Sequence, residues 1–176
     1  MRIVFRDLEI RNAERADCAQ LCRWWNDGAV MAHAGFPNGL GTTEEKIAAQ
    51  IATDSDDTRR RLVIAYQGRL IGECSYRVLP PEEAEIGIKI CEKDMQEKGL
   101  GKQLLSMLIG ALFDRGMTRI VLDTNLANTR AQHVYERLGF RRLGVRENSW
   151  QDQLDRWQSA VDYALTPDEF VDFTKE

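Results

Sequence analysis

Between residues 84 and 115 the hydrophobic period changes from two to about four, and two glycines mark the change. Ala84, Ile86, Ile88 and Ile90 alternate with Glu85, Gly87 and Lys89, the pattern of a strand with two unlike faces. Leu100, Leu104, Leu108 and Leu112 then recur as the stripe of a long helix that reaches about Arg115 and ends at Gly116. The junction between them reads Gln96-Glu97-Lys98-Gly99-Leu100-Gly101-Lys102. Glycine lets a backbone bend tightly and approach a ligand without side-chain collision. At a helix start the free amide hydrogens converge and the dipole favours negative charge. The junction is a candidate seat for a phosphate or pyrophosphate.

Two other phosphate loops fit poorly. A Walker A loop needs a glycine where Gln96 stands and a serine or threonine where Gln103 stands. A dinucleotide fingerprint needs a third glycine at the position of Leu104. Magnesium-dependent nucleotide chemistry therefore lacks its hydroxyl ligand.

The rest of the chain reads as alternating strands and helices. Ile3, Phe5, Leu8 and Ile10 place a first strand over residues 2–12. Asp17 is a plausible cap for a helix carrying Cys18, Leu21, Cys22 and Trp25 at helical spacing. Residues 26–41 are polar and glycine-rich, with Pro37, and are expected to be a loop. Thr42 or Thr43 caps a second helix to about Thr53. Leu62 to Tyr66 and Leu70 to Val78 form a hairpin around Gln67-Gly68, and Pro80-Pro81 breaks the chain. After the leucine-striped helix, Ile120 to Leu122 is a strand ending in Asp123, Thr124 and Asn125. Asn128 caps a helix with Ala131, Val134, Tyr135 and Leu138 on its buried face, closed by Gly139. Strands follow at roughly 140–147 and 156–165, and Thr166-Pro167 opens a short helix. This order predicts an α/β mixed sheet in one domain spanning residues 1–176.

Composition excludes some partners. A net charge of −4 and no dominant basic stripe argue against nucleic acid. Arg59, Arg60 and Arg61 follow Asp54, Asp56 and Asp57 and read as a solvated loop. Apolar runs of about five residues are far short of the ~20 that span a bilayer, and residues 1–11 show no signal-peptide core. Cys18, Cys22, Cys74 and Cys91 form no CxxC pair, and there are only two histidines, so no metal site is expected. Unpaired thiols point to the cytoplasm.

Two stretches, taken together, resemble a known family. Gln96 to Gly101 is similar to the coenzyme A signature Q/R-x-x-G-x-G/A of the GNAT superfamily of N-acetyltransferases. Asn125 and Asn128-x-x-Ala131-x-x-x-Tyr135-x-x-Leu138-Gly139-Phe140 look like its second signature. Ile10-Arg11-Asn12 and Trp24-Trp25-Asn26-Asp27 resemble the subgroup that includes ribosomal-protein and aminoglycoside acetyltransferases. The resemblance covers roughly residues 8–165. It implies a mixed, mostly antiparallel sheet of about seven strands, splayed at the cofactor and flanked by helices.

The resemblance also implies roles. Acetyl-coenzyme A would be the co-substrate and an amine the acceptor, a small molecule or a peptide. The backbone of Ile88, Lys89 and Ile90 would pair with the pantetheine arm, and Ile88 would polarise the thioester carbonyl. The amides of Glu97, Lys98, Gly99, Leu100, Gly101 and Lys102, after Gln96, would hold the pyrophosphate. Lys98 and Lys102 either add charge there or are simply solvated. Asn128 would bond the pantetheine while capping its helix. Tyr135 would be the general acid that protonates the leaving thiolate.

Glu85 or Asp123 would take the amine's proton or attract its cation. Trp25 and Asp27, with Glu85 and Asp123, are candidates for the acceptor pocket. Adjacent Trp24 and Trp25 cannot share one helix face, so either at least one leaves the core and lines that pocket, or both cover the sheet edge. His33 and His133 read as ordinary surface residues, and Trp150 and Trp157 carry no signal. A homodimer is an expectation by analogy alone. The competing reading is a catalytically silent acyl-coenzyme A-binding module on the same fold, against which Asn128 and Tyr135 argue.

Overall fold

The computed structural model describes residues 1–175. Eight strands form one sheet: β1 (Arg2–Phe5), β2 (Leu8–Asn12), β3 (Arg59–Tyr66), β4 (Arg69–Leu79), β5 (Glu83–Ile90), β6 (Arg119–Asn125), β7 (Arg141–Gln151) and β8 (Trp157–Leu165). Their order across the sheet is β1-β2-β3-β4-β5-β6-β8-β7. All neighbours are antiparallel except β5 and β6, which run parallel. The expected mixed, mostly antiparallel sheet is found, with eight strands in place of about seven. The extra strand arises at Arg6, whose φ of 52° turns the chain and splits residues 2–12 into a hairpin. The polar pair Arg6-Asp7 interrupts the apolar alternation there, and the Asp7 carbonyl accepts from Gln67 N at 2.9 Å.

The period-two pattern divides the residues between the two faces of the sheet. Leu62, Ile64, Ile86 and Leu122 meet the leucine stripe of α4 (Leu100–Asp114) on one face, together with Tyr135 and Leu138 from the segment after β6. Val63 and Cys91 meet α1 (Cys18–Asn26) and α3 (Glu44–Ala52) on the other. Thr43 caps α3, its hydroxyl accepting from Lys46 N at 3.3 Å.

Four local expectations change. Arg59, Arg60 and Arg61 are not a solvated loop: they begin β3, and Arg60 pairs with Asp56 at 2.6 Å. Asp17 does not cap α1 through its side chain. It stands at the N-cap position, but its buried carboxylate turns away and takes two 2.8 Å bonds from the Arg11 guanidinium and one of 2.8 Å from Glu14 N. Burial pushes its pKa up, but these donors outweigh burial and hold it below the usual carboxylate range. Trp24, not Trp25, is the core tryptophan of α1: it is 4% exposed and its indole N–H donates to Glu92 Oε1 at 2.8 Å. Residues 26–41 are not loop throughout. They hold α2 (Gly28–Met31) and a 3-10 turn at Ala32–Ala34, started by Asp27, whose carboxylate accepts from Ala29 N at 2.8 Å.

At the C-terminus the expected helix is a single 3-10 turn, Pro167–Glu169. The chain then crosses α4, where Phe173 N donates to Ser106 Oγ at 2.9 Å.

Candidate active site

β5 and β6 pair only over Glu83–Glu85 and Arg119–Val121. Beyond that point β5 stays bonded to β4 and β6 stays bonded to β8. The inner edges of Gly87–Ile90 and Leu122–Asn125 therefore face each other unpaired, and unpaired backbone groups need partners. A cavity of about 1050 Å³ occupies this gap. Ile86, Ile88 and Leu105 border it on the α4 face, and Lys89, Ala29 and His33 on the α2 face. It runs through the sheet.

The glycine junction stands at one end. Gln96 ties it to β5, its amide donating to the Ile90 carbonyl at 2.9 Å. Glu97 (φ 61°) and Gly99 (φ 75°) are both left-handed and bring the chain round into α4. The first amides of a helix have no intrahelical acceptor. Gly101 leaves open space where a Cβ would stand, so a ligand can reach these amides. Lys102 borders the cavity with its ammonium 4.5 Å above the Phe173 ring. Lys98 does not border it, and its Nζ lies 3.9 Å from Met95 Sδ. Glu97 is paired at 2.6 Å with Arg130 of α5 (Thr129–Arg137), and both border the cavity.

Asn128 caps α5, its Oδ1 accepting from Ala131 N at 3.2 Å, and also borders the cavity. Tyr135 is 8% exposed, and its ring packs against Phe140 and Tyr163 at 5.7 and 5.8 Å. Its hydroxyl has no hydrogen-bond partner among the described residues and is not sealed off, so it opens on the cavity. Burial first, then the charge of Asp123 and the neighbouring Tyr163, push this phenol up to about 12.

The two candidate carboxylates are placed differently. Asp123 borders both the main cavity and a side pocket of about 380 Å³, whereas Glu85 borders only the side pocket. Glu85 is paired with Arg77 at 2.5 Å, its register partner on β4. Asp123 faces Asp162 across the β6–β8 ladder, an arrangement of like charges that destabilises a sheet. Arg146 resolves it, bonding Asp123 at 2.6 Å and Asp162 at 2.8 Å. The hydrogen bonds that the guanidinium donates to Asp162 and then to Asp123 raise its already high pKa. Trp25 and Asp27 do not border the cavity: Trp25 packs beside the second core cluster and Asp27 starts α2.

Residues 7–141 match the family model described as "Acetyltransferase (GNAT) domain". The chain belongs to the GNAT acetyltransferase family. A mycothiol acetyltransferase of an Arthrobacter species is 30% identical over 156 residues, covering 81% of this chain and 48% of that protein. The [ribosomal protein bS18]-alanine N-acetyltransferase of Escherichia coli K12 is 36% identical over 84 residues, covering 48% of this chain and 56% of that protein. The chain thus spans about half the length of these curated relatives. Among solved structures, a spermidine N-acetyltransferase of Vibrio cholerae in complex with coenzyme A and spermine has a TM-score of 0.81. Its identity is 22%, with 93% of this chain and 98% of that chain covered. A ribosomal L7/L12 alpha-N-protein acetyltransferase in complex with coenzyme A has a TM-score of 0.82 at 20% identity, with 96% and 99% covered. These likenesses establish the GNAT fold.

Acetyl-coenzyme A is the donor of GNAT enzymes, and the residues present fit it. Facing unpaired strand edges suit an amide-bearing arm, and open amides beside Lys102 suit a diphosphate. Among the described residues no group of three metal-ligating side chains comes together. No helix among the described residues is long and apolar enough to cross a membrane.

The cavity wall also includes residues not expected there, among them His33, His133, Arg146 and Trp150. Their signal is tertiary. His133 lies off the buried stripe of α5, yet that flank borders the gap because no strand covers it.

Proposed function

We infer that this chain transfers an acetyl group from acetyl-coenzyme A to a primary amine by direct attack within a ternary complex. The observation that carries this reading is the cavity through the sheet, with helix-start amides at one end and Tyr135 and Asp123 on its wall. The donor supplies a thioester carbonyl and a sulfur leaving group. The free edges at Ile88, Lys89 and Ile90 orient its arm as an added strand. The amides from Glu97 to Lys102 and the side chain of Lys102 hold its diphosphate, and Asn128 bonds the arm from α5.

Tyr135 keeps its proton at Oη across the physiological range, since its pKa is near 12. Full transfer to a thiolate of pKa ~8.5 would be uphill by roughly 4–5 kcal/mol. Tyr135 therefore donates a hydrogen bond to the sulfur as charge develops, and completes the transfer with the proton released by the amine. Asp123 is the nearer carboxylate to that proton, because it alone of the pair borders the main cavity. Glu85 acts at longer range from the side pocket. The acceptor class includes protein N-termini, aminoglycosides and small metabolite amines, and the setting is cytoplasmic.

A screen of amines that follows coenzyme A thiol release tests the reading. Release with at least one amine is expected. Saturable coenzyme A binding with no release across a broad panel would leave a binding module instead.

A further inference from the structure

The far wall of the cavity is assembled from two segments that lie more than a hundred residues apart. One is α2 and its 3-10 turn, which contribute Ala29, Val30, His33 and Ala34; the other is the β7–β8 hairpin, which contributes Arg146 and Trp150. They are joined by a clasp. Gln153 N donates to the Gly35 carbonyl at 2.8 Å. The Gln153 side chain accepts from Asn38 N at 2.9 Å and donates to the Gly39 carbonyl at 3.0 Å. One residue thus bonds three backbone groups of the opposite segment.

Both sides of the clasp are rigid. Asp152, 7% exposed, gathers the hairpin tip through Leu154 N, Arg156 N, the Arg156 guanidinium and the Gln158 amide at 2.8–3.1 Å. On the other side the approach needs glycine. A Cβ on Gly35 would lie 2.5 Å from the Trp150 ring, and one on Gly39 would lie 2.2 Å from the Asn26 carbonyl. Nothing in the donor's binding calls for this contact, because the junction and α5 stand at the other end of the cavity.

We propose that the Gln153 clasp and the Trp150 ring set the bore of the acceptor end, and so select slender aliphatic primary amines over amines carried on ring systems. The inference rests on the acetyltransfer reading above. The three Gln153 bonds tie the two walls together before any acceptor arrives, so acceptor girth is judged by a preformed aperture. Trp150 adds a flat aromatic face on which an alkylammonium can rest.

The test compares wild type with Gln153→Ala, which opens the clasp, and with Trp150→Phe, which shortens the ring and leaves the clasp intact. Coenzyme A release is measured with 1,4-diaminobutane and with kanamycin. Both variants should raise the kcat/KM ratio of kanamycin to diaminobutane by about fivefold or more, with coenzyme A affinity by calorimetry unchanged. An unchanged ratio, or an equal loss on both amines, overturns the proposal.

A second measurement decides even where neither amine is turned over, an outcome that leaves the acetyltransfer reading to the broad amine panel. Ala160 is 2% exposed and borders the cavity. In a Cys22→Ser background, Ala160→Cys should react with methyl methanethiosulfonate at one rate with or without Gln153→Ala. A biotinylated methanethiosulfonate should react about fivefold faster once the clasp is opened. Equal rates for the bulky reagent overturn the proposal.

Discussion

The two ends of the cavity, proposed above for the donor and for the acceptor, are built in opposite ways. The donor end is made of backbone: the free edges of β5 and β6 and the first amides of α4. The acceptor end is made of side chains that arrive from α2, β6, β7 and β8. A backbone site is specified by a few consecutive residues, because glycines and a helix start fix where amides point. A side-chain site is specified by tertiary contacts such as Gln153 with Gly39, which no local spacing announces. The donor end of a chain like this can therefore be identified early, while its acceptor must be found by experiment.

Four substitutions or conditions probe whether the two ends are as separable as this contrast requires. The largest effect is expected at the point where they meet. Tyr135→Phe should lower kcat by roughly a hundredfold or more, while coenzyme A affinity stays at the wild-type value. Stopped-flow thiol detection and calorimetry on the same preparation separate the two, and wild-type turnover would remove Tyr135 from the proton path.

Next is the donor end alone. Gly99 sits at φ 75°, where a β-branched residue is strained by about 1–3 kcal/mol. Gly99→Val should weaken coenzyme A binding about tenfold and leave the ranking of amine acceptors as it was. A reordered ranking would mean that the ends are coupled.

The mirror substitution is Gly39→Ala, which combines φ 75° with a Cβ only 2.2 Å from the Asn26 carbonyl. Displacing that segment should raise the acceptor KM several-fold, with coenzyme A affinity retained. An equal loss of donor affinity would erase the contrast.

The smallest effect is on stability. The folded state holds the Tyr135 proton more tightly than the unfolded chain, since its pKa rises from 10 to about 12. That contribution is complete below pH 10 and is lost as pH climbs toward 12. Urea denaturation at pH 9 and at pH 11 should show a smaller alkaline loss for Tyr135→Phe than for wild type.

The residues of the fold show the same divide between local and distant causes. Ile86, Ile88 and Ile90 gave β5, the four leucines gave α4, and Thr43 and Asn128 capped the helices expected of them. These rest on neighbours within a few positions. Trp24 and Trp25 were ranked wrongly, because α1 buries positions 18, 21 and 24 and Trp24 finds a distant partner in Glu92. Asp17 looked like a cap but is held by Arg11 from the neighbouring strand.

The glycine-rich stretch 26–41 concealed α2, whose single turn is too short to show periodicity. Trp150 gave no signal because its meaning depends on Gly35. Asp123 was legible as a carboxylate at a strand end, but its bond to Arg146 required the β6–β8–β7 order.

A sheet that parts between two parallel neighbours has a doorway on each side of the same wall. On the ternary-complex reading proposed above, the donor and the acceptor would use different doors, so that neither has to leave before the other comes in. Traffic of that kind produces intersecting, not parallel, initial-velocity lines. It also lets the acetylated amine depart while the spent thiol is still seated among the glycines.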